Sequence, residues 1–398
     1  MPSHTPARVL EQLGLAYRGV AALSDAPSGN GNWLVETASE EPVVLRRYRA
    51  PATVADLGYE HDVLRHLDAA GWTVPVPVSD LVQHDGAWYC LTRYVPGAAV
   101  RAESALQRHR RGRDLARLHL ALRGLAERIG QRPGYHPQHS GITTRTGFGW
   151  DATVRALGQA NPRLAAWAYS AADQVHDALN AAGAHALPLT VIHGDFAEWN
   201  VHYQHGRLSG VIDFDLTHLD SRPYELAIAR TYRAPEAADS YRAELARRGW
   251  PLSDLEEAAI GPVYRAFRLG MAAWDIHHGR ETGHYNEAMI ERQLSMTGTP
   301  RPLGGSCGLV PGRRLDHGDG LCGRRTAQRG RVPRRGGPGP GAPVPAAAAP
   351  ERGEPADPQQ ICRRPPRRLC HFWRLCQFWA IMGYQNLPWD PELTQRRA

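Results

Sequence analysis

Apolar positions fall into short strand-like runs over the first hundred residues and mostly at helical spacing after them. Residues 13–23, 33–37 and Val43–Tyr48 predict three strands of a small antiparallel sheet. Two more are predicted at 81–83 and Ala87–Arg93, with a turn at Asp85-Gly86. Residues 53–70 predict a helix with Val63, Leu64 and Leu67 on its apolar face. Glu60 precedes Leu64 by four positions and Leu67 by seven, so its carboxylate shares that face. A carboxylate turned inward needs a cation, and Arg46 on the third strand is the expected partner. Residues 71–77, with Pro75 and Pro77, predict an extended connector.

Helical spacing dominates from there. Leu106, Leu115, Leu118, Leu122 and Leu125 predict one long helix over 102–128, in which His119 is expected to pack as a structural residue. Residues 130–150 are polar and rich in Gly, Pro and His, including His136 and His139, and predict a loop. One or two helices are expected over 151–182, then further helices at 241–249, 255–277 and 285–296. Trp274, Asp275, His277 and His278 are candidates for lining a substrate pocket, though a place in the core suits them as well. Strands first and helices afterwards define an α+β architecture.

Two apolar pairs interrupt the helical half, Val191-Ile192 and Val211-Ile212, and each reads as a buried strand ending in acidic chemistry. Asp195 and Asn200 follow the first, and Asp213 follows the second. An Asp, an amide and another Asp on adjoining loops form an oxygen-rich set that suits Mg²⁺. Phosphoryl transfer needs such a set, with one Asp to orient the attacking hydroxyl and an Asn and Asp to hold the metal. His193-Gly194-Asp195 with Asn200, followed by Ile212-Asp213-Phe214-Asp215, resembles the catalytic core of the aminoglycoside phosphotransferase-like kinases. The second His-Gly-Asp triplet, at His317, has Arg324 in the Asn position and no Asp-Phe pair after it, so it is read as chance.

The resemblance implies a bilobal protein-kinase-like fold, with a small antiparallel-sheet N-lobe over 1–95 and a mostly helical C-lobe over 96–298. It implies that Asp195 is catalytic and that Asn200 and Asp213 are metal ligands. The hairpin carrying Gly29, Asn30, Gly31 and Asn32 would cover the ATP phosphates. Arg46 would take the place of the family's Lys and pair with Glu60; Arg keeps the charge but is bulkier. Tyr94 and Val95 would lie at the hinge that meets the adenine ring. Glu225 stands where the family usually has an Asp bracing the catalytic loop. The implied reaction uses ATP and Mg²⁺ and acts on the hydroxyl of an aminoglycoside-, homoserine-, choline- or sugar-like acceptor.

Charge separates the body from the tail. The chain of 398 residues contains no Lys, and its net charge is +7. Residues 1–300 carry 30 Arg against 33 acidic residues, whereas 301–398 carry 17 Arg against 7. The body is therefore not basic enough to suggest a nucleic-acid partner, and the tail leaves that undetermined. One of six Cys lies before residue 300, which fits a reducing cytoplasm, and no apolar run approaches the ~18 residues of a membrane span. Residues 299–398 are expected to be irregular or disordered, being rich in Arg, Pro and Gly, with an aromatic stretch at 371–389. They are either a basic extension or the product of a shifted reading frame, and the abrupt change in charge and Cys usage favours the shift.

Two other functions compete. A nucleotide-binding pseudokinase is suggested by Arg46 and the unusual tail. A metal-dependent phosphohydrolase is suggested by His-Gly-Asp, but it would need further His and Asp ligands.

Overall fold

Alternating burial along Gly31–Thr37 turns Trp33 and Val35 into one core, the pattern of a strand covered on one face. The structure is a computed structural model that describes residues 6–301, apart from 26–29, 39–40, 49–51, 101, 136–149 and 232–233. Five strands, β1 (Tyr17–Asp25), β2 (Gly31–Thr37), β3 (Val43–Tyr48), β4 (Val82–His84) and β5 (Ala87–Arg93), form an antiparallel sheet in the order β1-β2-β3-β5-β4. A short helix, α1 (Pro6–Gln12), places Val9 and Leu10 against Trp33, Val35, Leu45, Tyr89 and Leu91. That helix is not among the elements expected from sequence. Leu13 and Leu15, expected within the first strand, instead pack around its end, where Gly14 adopts φ +66°.

Tyr48 and Cys90 join Leu57 of α2 (Val54–Ala69) in a separate small cluster. Thr53 caps α2 by accepting from the Asp56 amide at 3.1 Å. Glu60 lies on the buried face of α2 with Val63, Leu64 and Leu67, as its phase predicts. The 71–77 connector runs along β5, through Val76 to Arg93, and then reaches the helical part, where its Thr73 carbonyl accepts from Val211 at 3.1 Å.

The long helix expected over 102–128 is two. α3 (Ala105–Leu122) has a Ser104/Gln107 capping box, and α4 (Ala126–Ile129) follows after Arg123 turns extended and Gly124 turns left-handed. Likewise Asn161 and Pro162 divide α5 (Trp150–Ala160) from α6 (Pro162–Ala181). Next come β7 (Leu189–Ile192), β8 (Val201–Gln204), β9 (Arg207–Val211) and β10 (His218–Ser221). β7 pairs with β10, and β8 joins β9 to β6 (Ala98–Ala99). α7 (Arg222–Thr231), α8 (Pro235–Arg247), α9 (Asp254–Thr282) and α10 (Glu287–Ser295) complete the helical part. Its two cores meet the loops that follow β7 and β9, one through Ile192 and the other through Val191, Phe196 and Phe214. The result is the expected bilobal α+β architecture. Among the described residues no helix is long and apolar enough to cross a membrane.

Candidate active site

β7 delivers His193, Gly194 and Asp195 to the end of a buried strand. Gly194 has φ +85°, and a Cβ there would stand 2.3 Å from the Leu216 carbonyl oxygen, so only glycine fits. The backbone N–H of Asp195 donates to His193 Nδ1 at 3.2 Å, which puts the ring proton on Nε2 for donation to the Ile212 carbonyl at 3.0 Å. Burial pushes the imidazole down to about 4, so His193 is a neutral brace between the two loops. Glu225 on α7 accepts from the Gly194 amide at 2.5 Å, and burial pushes its carboxyl up to about 8.

Asn200 ties the same loops together. Its carbonyl accepts from Ile212 N at 2.9 Å. Its Nδ2 donates to the Asp195 carbonyl at 2.9 Å and to Asp195 Oδ2 at 3.0 Å. Because a carbonyl can only accept, the amide orientation is fixed and Oδ1 faces the other way. Trp199 Nε1 also donates to Asp195 Oδ2, at 3.3 Å. Asp213 follows β9 in a left-handed conformation, φ +67° and ψ 60°, an unusual backbone for a non-glycine residue that aims its side chain out of the strand direction. Burial and the neighbouring Asp215 push the Asp213 carboxyl well above its ordinary range.

Arg46 joins the sheet to this centre. Its Nη2 lies 3.6 Å from Glu60 Oε1 and 3.6 Å from Asp213 Oδ1. Both separations are ion-pair distances and too long for hydrogen bonds, and Arg46 Nε and Nη2 are buried without a hydrogen-bond partner among the described residues. Orphaned guanidinium donors beside a carboxylate pair fit a phosphate oxygen. The outward Asn200 oxygen and the Asp213 carboxylate likewise fit a hard cation that takes its remaining ligands from phosphate and water.

Of the hairpin residues, Gly29 lies outside the described residues. Asn32 pairs with Arg46 across β2 and β3 and donates to Ser24 Oγ at 2.9 Å. Gly31 sits under the Trp33 ring, which a Cβ would approach to 2.5 Å. Asn30 is buried and donates to Asp215 Oδ2 at 2.9 Å, so its amide engages the loop after Asp213. Val95 is buried and Tyr94 half-buried in the link from β5 to β6. His119 is buried and bonded to Tyr241 at 2.7 Å, a structural role. Asp275 is buried in α9 with its carboxyl pushed up to about 7 by burial, and Trp274 stacks on His278 at 5.4 Å. His136, His139, His317, Arg324 and the 371–389 stretch lie outside the described residues. Sequence reasoning missed Arg132 and Asp56, which join α2 to the loop after Asp213; nothing in the spacing of a lone Arg between Gln131 and Pro133 marks it.

A sheet-and-helix fold that gathers Asp195, Asn200 and Asp213 beside an Arg–Glu pair defines a kinase-like phosphotransferase. The chain belongs to the phosphotransferase enzyme family, whose model matches residues 23–260. It is a small-molecule kinase. It is 28% identical over 273 residues to a homoserine kinase of Rhizobium johnstonii, a match covering 64% of this chain and 78% of that one. It is 29% identical over 247 residues to a homoserine kinase of Azorhizobium caulinodans, covering 58% and 69%. In fold it is similar to amicoumacin kinase hAmiN in complex with AMP-PNP, Ca²⁺ and Ami, with TM-score 0.56 and 16% identity over 75% of this chain and 95% of that one. It is also similar to a thermostable mutant of aminoglycoside phosphotransferase APH(4)-Ia, with TM-score 0.52 and 15% identity over 74% and 97%.

Proposed function

We propose that this chain moves the γ-phosphate of ATP to the hydroxyl of a small amino alcohol of the homoserine type, in a cleft between the sheet (residues 1–95) and the helical part (96–298). Asp195 orients the acceptor hydroxyl and takes its proton as the new bond forms. Asn200 holds Asp195 through its amide nitrogen and offers its amide oxygen, with Asp213, to Mg²⁺. A cation held by these two side chains would supply charge neutralisation to the phosphates. Arg46 binds the phosphates with its orphaned donors, held in place by Glu60, while Asn30 and the start of β2 at Gly31 and Asn32 lie over them. Tyr94 and Val95 offer backbone groups to the adenine ring. The loose transition state of phosphoryl transfer rewards this positioning more than base strength.

The observation that carries this reading is the closed geometry at Asn200, whose nitrogen holds Asp195 while its oxygen faces away from it. The homoserine class rests on relatives named as homoserine kinases. Arg46 in place of the family's Lys favours a second reading, a nucleotide-binding pseudokinase. A phosphohydrolase would need more ligands, and among the described residues no three His, Cys, Asp or Glu are placed to share a metal ion.

The test is ATP consumption by the wild type with homoserine, choline, sugar and aminoglycoside acceptors, beside thermal shifts with ATP·Mg²⁺ and with ATP plus chelator. Asp195→Asn is expected to lower turnover by roughly 100-fold or more while keeping the ATP·Mg²⁺ shift. A shift without turnover on any acceptor would move the assignment to the pseudokinase.

A further inference from the structure

Arg132 lies outside every motif discussed above, yet it is 2% exposed and satisfies groups from two separate elements at once. Its Nε donates to Asp56 Oδ1 on the first turn of α2, and its Nη2 stands 3.9 Å from Glu60 Oε2 one turn further on. Its Nη1 donates to the carbonyls of Asp215 and Thr217, each at 2.9 Å, in the loop that follows Asp213. Tyr135 covers the guanidinium at 4.5 Å from its ring centre and donates its hydroxyl to the same Asp215 carbonyl at 3.2 Å. Burial opposes the charge, but Tyr135, Asp56 and Glu60 outweigh it and hold the group fully protonated.

These contacts extend a continuous polar chain through the site. Arg46 faces Asp213 and Glu60, Glu60 faces Arg132, Arg132 grips the Asp215 carbonyl, and the Asp215 side chain accepts from Asn30 in the hairpin. Arg132 therefore adds a buried fork that ties Asp56 and Glu60 on α2 to the loop carrying Asp213, beside the contacts of Arg46 with Glu60 and Asp213. A lysine could keep the charge, but it could not span two carboxylates and two carbonyls.

We propose that Arg132 is a positioning residue that locks α2 to the Asp213–Thr217 loop, so that Glu60, Arg46 and Asp213 take up their nucleotide-binding geometry together. This role rests on the phosphotransfer assignment above. Asp56 gives the means to isolate it, because Asp56 faces Arg132 and lies a helical turn away from Glu60.

The experiment compares wild type, Arg132→Lys, Asp56→Asn and the double variant as full-length chains. It measures amide hydrogen exchange in residues 213–217 and in Val54–Ala69, and apparent affinity for ATP·Mg²⁺ by thermal shift, at temperatures where each variant is folded. Both single variants are expected to speed exchange in residues 213–217 and weaken ATP·Mg²⁺ binding by on the order of tenfold. Asp56→Asn should add little once Arg132 is Lys, since the two act through one link. A lowered melting temperature with unchanged exchange in 213–217 and unchanged ATP·Mg²⁺ affinity would reduce Arg132 to a stability role and overturn the proposal. If the wild type gives no ATP·Mg²⁺ response, the phosphotransfer assignment fails, and exchange in 213–217 alone decides whether Asp56 acts on that loop through Arg132.

Discussion

Trp199 shares with Asn200 the holding of one oxygen of Asp195. Its indole N–H and the Asn200 amide both reach Asp195 Oδ2, at 3.3 and 3.0 Å, so the carboxylate is held by two donors from its own loop. Two fixed donors restrict the rotation of that carboxylate, which in the proposed reaction presets the direction from which a hydroxyl meets it. Trp199→Phe keeps the ring and removes the longer of the two bonds. A hydrogen bond of this kind contributes about 0.5–1.5 kcal/mol net, more where the acceptor is charged. Turnover is therefore expected to fall by roughly three- to tenfold, with little change in melting temperature or in KM for ATP. Steady-state kinetics on the folded variant would check this, and unchanged turnover would remove Trp199 from the positioning of Asp195.

At the scale of elements, the loops at Gly194 and Asp213 are as constrained as the strands that feed them. Gly194→Ala would drive a methyl into the Leu216 carbonyl and force an L-residue to φ +85°. The backbone conformation alone costs on the order of 1–3 kcal/mol. The expected outcome is a lower melting temperature together with loss of the ATP·Mg²⁺ thermal shift, because Leu216 sits in the same short turn as Asp215. Retention of both would show that the loops separate easily. What was legible in sequence follows the same division. The phase of α2 placed Glu60 beside Arg46, because helical periodicity is a local property. The spacing from Asp195 to Asn200 was legible because both lie on one loop. Arg132 was not, since its partners Asp56 and Asp215 lie 76 and 83 residues away and meet only when the chain is folded. α1 was missed because seven residues are too few to show a period, and α3 was overextended because Leu125 keeps helical spacing beyond the break at Gly124. β8 and β10 are four residues each and carry polar side chains, including His202, His218 and Asp220, that patterning assigns to loops.

Across the whole molecule, buried ionisable groups oppose one another as pH changes. Burial pushes Glu225 up to about 8 and Asp275 up to about 7, so the folded state holds protons that the unfolded chain releases. Their contribution is complete below the ordinary carboxylate range and is lost as pH rises toward 7 and 8. His61 and His193 are pushed down to about 4 and His119 to about 3, each by burial first. Their contribution is complete above the ordinary histidine value and is lost as pH falls below it toward 3 or 4. Glu244, held at about 2 chiefly by its hydrogen bond from Arg247, adds to the loss on the acid side. Between the ordinary carboxylate and histidine values the two sets oppose one another, and above roughly pH 6.5 only the carboxyls still titrate, so the nucleotide-free chain is expected to melt at a falling temperature from there toward pH 8. Glu225→Gln keeps an oxygen for the Gly194 amide and removes the titration. Melting temperatures of this variant should therefore vary less than those of wild type between roughly pH 6.5 and 8, and less again when combined with Asp275→Asn. A wild-type maximum near pH 8, or an unaltered slope in Glu225→Gln, would mean that the α7 brace at the catalytic loop is ionised in the folded protein and binds Gly194 as a carboxylate.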